Sequence, residues 1–201
     1  MAVVASAFLH DLLYPVLATA NTEERLEIRD LLITLLDADA AVSESVRSAL
    51  ETALLDVYFY LEDFRGALAR IENGISGYDE DWHAELRNKV GAHLAEQEGR
   101  IADAVRYYEN HIARVRMWSD ALISPEDGRK IVPAEVIALN KRRIGDLWMS
   151  EGEVEKAKAA HEQALRYYEL ARDAYGDDEA SRAQMDEMLA EMAAVAAGLD
   201  E

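Results

Sequence analysis

The chain has no cysteine, which excludes disulfides and thiolate metal sites and fits a reducing compartment such as the cytoplasm. Proline occurs 3 times and glycine 10 times in 201 residues, so few positions force a break in regular structure. Lysine is confined to Lys89, Lys130, Lys141, Lys156 and Lys158, and arginine supplies the rest of the positive charge. Even so, 21 basic side chains face 40 acidic ones, a net charge of −19. A field of that sign repels phosphates and anionic lipid, and it argues against nucleic acid and membrane partners. It either recruits a basic partner, or only keeps the chain soluble, or reflects adaptation to salt. No uninterrupted apolar run approaches the ~20 residues of a membrane helix. The apolar Met1 to Ala20 ends Ala18-Thr19-Ala20, as a cleavable leader does. No Lys or Arg precedes it, however, and His10, Asp11 and Pro15 interrupt it, so it reads as a helix.

What remains is helix-forming. Half of the residues are hydrophobic, and Ala, Leu, Glu and Arg are plentiful. A first helix is expected from about Val3 to Thr19, with Leu9, Leu12, Leu13, Val16 and Leu17 on its apolar side and Pro15 as a kink. Asn21 with Glu24 is a capping box for a second helix to about Leu36, whose face would be Ile28, Leu31, Leu32 and Leu35. These two helices form an N-terminal hairpin, residues 1–40. A third helix spans Ala41 to Glu62 through Val46, Leu50, Ala53, Leu54, Val57 and Leu61; Phe64, Ala67 and Ile71 begin the next, which Gly74 and Gly77 end. Further on, Val90-Gly91, Leu94, Gly99, Ala104 and Tyr108 repeat a similar series.

The clearest instance runs from Ala138 to Ala164: Ile144-Gly145, Trp148, Gly152, Ala157, Ala164. Gly145 allows a second helix to cross closely, Gly152 ends the first helix, and the alanines keep the second one thin. The order resembles a tetratricopeptide repeat, over about residues 48–198. Gly91 to Ala104 is one residue longer than Gly145 to Ala157, which implies a longer turn or a bulged helix. Ala67, Ala104 and Ala157 are 37 and 53 residues apart, against a family period of about 34. The excess in the second interval falls at Ser119 to Pro133, an insertion with a short helix starting at Ser124-Pro125 and ending at Gly128. After Ala164 the helix continues to about Tyr175, and Gly176-Asp177-Asp178 ends it. A capping helix follows, Glu179 to Ala197, with Met185, Met188, Leu189, Met192 and Val195 on one side.

The resemblance implies an all-α fold of about nine helices, a superhelix of antiparallel hairpins in one continuous domain over residues 41–201. It implies a non-catalytic scaffold that holds a peptide or protein segment in a concave groove. Carried over by position, the groove would be lined by Ala49, Thr52, Asp56 and Phe59 in the first repeat. The second would give Asn88, Ala92 and Ala95, displaced by one if the extra residue shifts the register, and the last Leu139, Arg142, Asp146 and Met149. Phe59 and Met149 suit an extended or helical segment with apolar anchors. Two other readings stand beside this one. One is a secretion or assembly chaperone, since acidic three-repeat chaperones are of similar size; the other is a module that pairs with its own copy as a homodimer.

Chemistry finds little support. Glu80-x-x-His83 is the one metal-like spacing, and a carboxylate-bridged metal pair needs a second such motif that is absent. No phosphate loop, zinc-binding motif or nucleophile elbow occurs, so neither an enzyme nor a cofactor is expected. His161 takes a large-residue slot and reads as an interior histidine. In Tyr107-Tyr108 and Tyr167-Tyr168 one ring of each pair should be buried, and Trp82 and Trp118 are expected in the core more than at an interface.

Overall fold

The computed structural model describes residues 13, 15–38, 43–75, 79–118, 121–123 and 129–198. Leu9, Leu12, Gly77 and the short helix expected from Ser124 to Gly128 lie outside them. The elements are α1, described over residues 15–19, then α2 (Thr22–Asp37), α3 (Glu44–Tyr60), α4 (Phe64–Glu72), α5 (Glu80–Gln97), α6 (Ile101–Val115), β1 (Leu122–Ile123), β2 (Lys130–Ile131), α7 (Pro133–Ser150), α8 (Val154–Ala174) and α9 (Glu179–Gly198). The fold is all-α, with one addition in the insertion. Leu122 pairs with Ile131 and Ile123 with Lys130 in a two-residue antiparallel ladder. Strands that short carry no readable alternation, so the sequence does not announce them.

The chain forms two compact units, Met1–Leu94 and Ala95–Glu201, and the division falls inside α5. In the first, α2 packs on α3, and Leu17, Leu32, Leu36, Leu54, Val57, Ala67, Ile71 and Val90 share one core. The Asn21 carboxamide accepts from the N–H groups of Glu23 (2.9 Å) and Glu24 (3.1 Å), and Glu24 reaches back to the Asn21 N–H (2.8 Å), as the capping box requires. The face of α2 is a correction: Leu32 and Leu36 are buried, while Leu31 is 59 % and Leu35 43 % exposed. Residues 31–36 are Leu-Leu-Ile-Thr-Leu-Leu, so periodicity offers two apolar stripes, and packing against α3 selects the second. Glu51 is fully buried in α3 and is held by both arms of Arg70 from α4, at 2.7 and 2.5 Å.

In the second unit α7 packs on α6 and α8, and α8 on α9. Tyr168, Ala164, Ala171, Met185 and Met192 are buried together; Met188 and Leu189 are half-buried, and Val195, expected on the same face, is exposed. Asp178 caps α9, accepting from the Ser181 N–H (3.1 Å) and hydroxyl (2.8 Å). Below the insertion, buried Glu135 accepts two bonds from Arg129, both 2.9 Å, and one from the Tyr175 hydroxyl. This network ties the segment before β2 to α7 and to the end of α8.

Three hairpins close on the same turn, at residues 61–63, 98–100 and 151–153. The middle residue is left-handed in each: Glu62 (φ 54°), Gly99 (φ 68°) and Gly152 (φ 73°). The third residue donates to the carbonyl five positions back, Asp63 to Tyr58 (2.9 Å), Arg100 to Ala95 (2.8 Å) and Glu153 to Trp148 (2.9 Å). Four residues on, Ala67, Ala104 and Ala157 donate to the carbonyls of those same residues, each at 3.0 Å, and all three alanines are fully buried. Equal turns settle the extra residue between Gly91 and Ala104. It lies within α5, which stays α-helical, so neither a longer turn nor a bulge is present. Counted back from the turn, the residue equivalent to Gly145 is Ala92.

Gly145 meets the reason given for it. A Cβ there would overlap the imidazole of His161, coming within 2.8 Å of Cγ. His161 is buried as expected, and its Nε2 lies 3.1 Å from the Asp146 carboxylate.

Candidate functional site

Each unit carries one row of the positions the sequence assigns to a binding surface. In the first unit α3 supplies Thr52, Asp56 and Phe59, all half-buried. The Thr52 hydroxyl donates to the Ser48 carbonyl (3.0 Å). Phe59 is the centre of an aromatic group: its ring meets Phe64 edge-on at 5.5 Å and His93 edge-on at 6.0 Å, while Phe64 and His93 stack at 4.8 Å. The Lys89 ammonium lies 4.9 Å from the centroid of Phe59, over its face, where the ring quadrupole attracts a cation.

The α5 residues of this row need correcting. Ala92 is fully buried and lines nothing, Asn88 is half-buried, and Ala95 is buried; Ala49 of α3 is buried too. The residues one step further, Lys89 and His93, reach Phe59. The extra residue in α5 explains this: counted from the turn, Lys89 stands where Arg142 does and His93 where Asp146 does. The signal was present in the spacing from Gly91 to Ala104, and taking Gly91 as the register mark hid it.

In the second unit Leu139, Arg142, Asp146 and Met149 share one side of α7, within about 80° of each other at ~100° per residue. Leu139 is 47 % and Met149 36 % exposed, both among the exposed large apolar residues. Arg142 is engaged by α9, donating to Glu191 (3.0 Å) and lying 3.5 Å from the sulfur of Met188. Its neighbours on α7 are also paired: Lys141 is buried against Glu109 (2.7 Å), and Arg143 binds Glu96 through Nε (2.8 Å). Asp146 accepts from His161 and keeps its side chain 46 % exposed.

Glu96 stands where Phe59 and Met149 do in the other hairpins, and it faces inward. It accepts from the Tyr108 hydroxyl at 2.5 Å, and burial together with the Glu96 charge pushes the Tyr108 phenol well above the usual tyrosine range. The tyrosine pairs divide as expected, with Tyr108 and Tyr168 buried and Tyr107 and Tyr167 half-buried. Trp82 is exposed, against the core role expected of it, and Trp118 is half-buried beside His111. His83 sits with Nε2 3.0 Å from the Ile75 carbonyl. Among the described residues no helix is long and apolar enough to cross a membrane. No protein-family model, curated protein or solved structure matches the chain.

Proposed function

We propose that the chain is a non-catalytic protein-binding module of tetratricopeptide type, which holds a segment of another protein on the open side of α7. The recurrent turn supports the family reading, since the turns of three hairpins share their length, a left-handed centre and the same hydrogen bonds although their residues differ. The observation that carries the binding role is the α7 surface: Leu139 and Met149 are large, apolar and exposed on one side of a helix whose cations are already paired. A lack of cysteine fits action in the cytoplasm.

The test is a double variant, Leu139→Asp with Met149→Asp. Both side chains are exposed enough for the fold to survive, which circular dichroism checks. Crosslinked partners captured by the tagged chain should be lost in the variant. Undiminished capture by a variant of normal helicity would refute the role of this surface.

A second reading, self-association, draws on α2. Leu26, Leu31 and Leu35 are exposed there, as is Val16 of α1. Light scattering at high concentration decides it: a monomer counts against it, and a dimer dispersed by Leu31→Lys supports it.

A further inference from the structure

We infer that the segment received by the α7 surface is a basic amphipathic helix. The inference rests on the binding role proposed above and adds the chemistry of the partner. Leu139 and Met149 are separated by ten residues, about 15 Å along α7 at ~1.5 Å per residue. Two apolar anchors that far apart call for an elongated partner. Between them the surface offers side chains and no free backbone donors or acceptors, because α7 satisfies its own ladder. An extended strand laid there would gain no backbone bond from α7 and would leave its groups to water, whereas a helix satisfies them internally and turns one apolar stripe to both anchors.

The charges then choose the sign. Arg142 is neutralised by Glu191, whose side chain is half-exposed, and Arg143 is held to Glu96. Asp146 stands between the apolar anchors with its side chain 46 % exposed; the His161 imidazole is 3.1 Å away, and Arg143, already tied to Glu96, also feels its charge. Glu151 follows directly at the end of α7, where the partial negative charge of the helix terminus adds to it. An acidic helix would meet this field with repulsion, and a neutral one would gain nothing from it. Lysine or arginine near the anchors lies within a Debye length of these carboxylates.

The probes are three fluorescein-labelled helical peptides with the same leucine stripe, at positions i, i+4, i+7 and i+11, and with lysine, glutamine or glutamate on its flanks. Anisotropy against the full chain measures their affinities. The lysine peptide should bind about tenfold more tightly than the glutamate peptide at ~50 mM salt, and the gap should narrow at ~200 mM. Asp146→Lys should weaken the lysine peptide by about fivefold and Glu169→Lys on α8 by less than twofold, since a single exposed charge pair contributes little beyond its own contact. Met149→Ala should weaken all three peptides. Equal affinity for the three peptides, all lost with Met149→Ala, would overturn the basic partner and leave the binding role standing. Equal weakening by Asp146→Lys and Glu169→Lys would overturn it as well, because the attraction would then be diffuse. Failure of every peptide to bind would overturn the helical partner, while the crosslinking experiment judges the binding role separately.

Discussion

Gly145→Ala should destabilise the protein by about 2 kcal/mol, although alanine is the better helix former. Three effects compete. Exchanging glycine for alanine within α7 favours the helix by about 1 kcal/mol. Against it, the new methyl overlaps the ring of His161, which is fully buried and has nowhere to retreat. Overpacking of this kind costs about 1–3 kcal/mol. Any displacement of the ring also breaks its 3.1 Å bond to Asp146, a further ~1 kcal/mol. Urea denaturation followed by far-ultraviolet circular dichroism measures the sum. The decisive comparison is with His161→Ala, which should cost about 2–4 kcal/mol as a large-to-small change in a packed site. In the double variant the methyl finds room, so adding Gly145→Ala to His161→Ala should cost nothing or return up to ~1 kcal/mol. Additive losses would refute the close approach of α7 and α8 at this point, and so would a Gly145→Ala protein as stable as the parent.

Glu62 holds the left-handed place that Gly99 and Gly152 hold in the equivalent turns, so Glu62→Gly should stabilise the first hairpin by roughly 0.5–1 kcal/mol in the same urea assay. Arg70→Ala should cost roughly 2–4 kcal/mol by leaving buried Glu51 without its cation, and Glu51→Gln with Arg70→Met should recover much of that loss. Burial and the neighbouring Glu135 push the Tyr175 phenol up to about 12. A raised phenol contributes stability that is whole below the ordinary value of about 10 and is lost as pH climbs to about 12; the loss between these values should be blunted in Tyr175→Phe when melting temperature is followed against pH.

Much of the architecture was legible because local physics wrote it into the residues. The capping box at Asn21, the end of α8 before Gly176, the Asp178 cap and the buried alanines all follow from interactions within a turn or two of the chain. What failed did so where tertiary packing had to choose. In α2 five apolar residues in six allow two stripes, and only α3 decides between them. In α5 a single added residue moves the row from Asn88 and Ala92 to Lys89 and His93, because ~100° per residue turns the buried Ala92 away and brings the half-buried His93 onto Phe59. The third turn member, Glu62, was hidden because its left-handed conformation is not written in a glycine. On α7, which has no such insertion, the four expected residues do share one side, and Leu139, Asp146 and Met149 are open on it.

The cations explain what the acidity means. Lys141, Arg142 and Arg143 on α7 are each tied to a carboxylate of another helix, and Arg70 and Arg129 are tied to the buried Glu51 and Glu135. Basic side chains thus serve as internal ties, where removing one partner leaves a costly charge behind. With 40 acidic residues to 21 basic ones, the surplus must stand in solvent whatever the protein binds. The net charge of −19 is then no sign of recognition by itself, since a chain that merely consumed its cations internally would show the same value. What distinguishes a docking surface from a soluble one is apolar area left uncovered beside unspent carboxylates. On α7 the two come together at Leu139, Asp146 and Met149, and this is where the proposed docking surface would give the charge a direction.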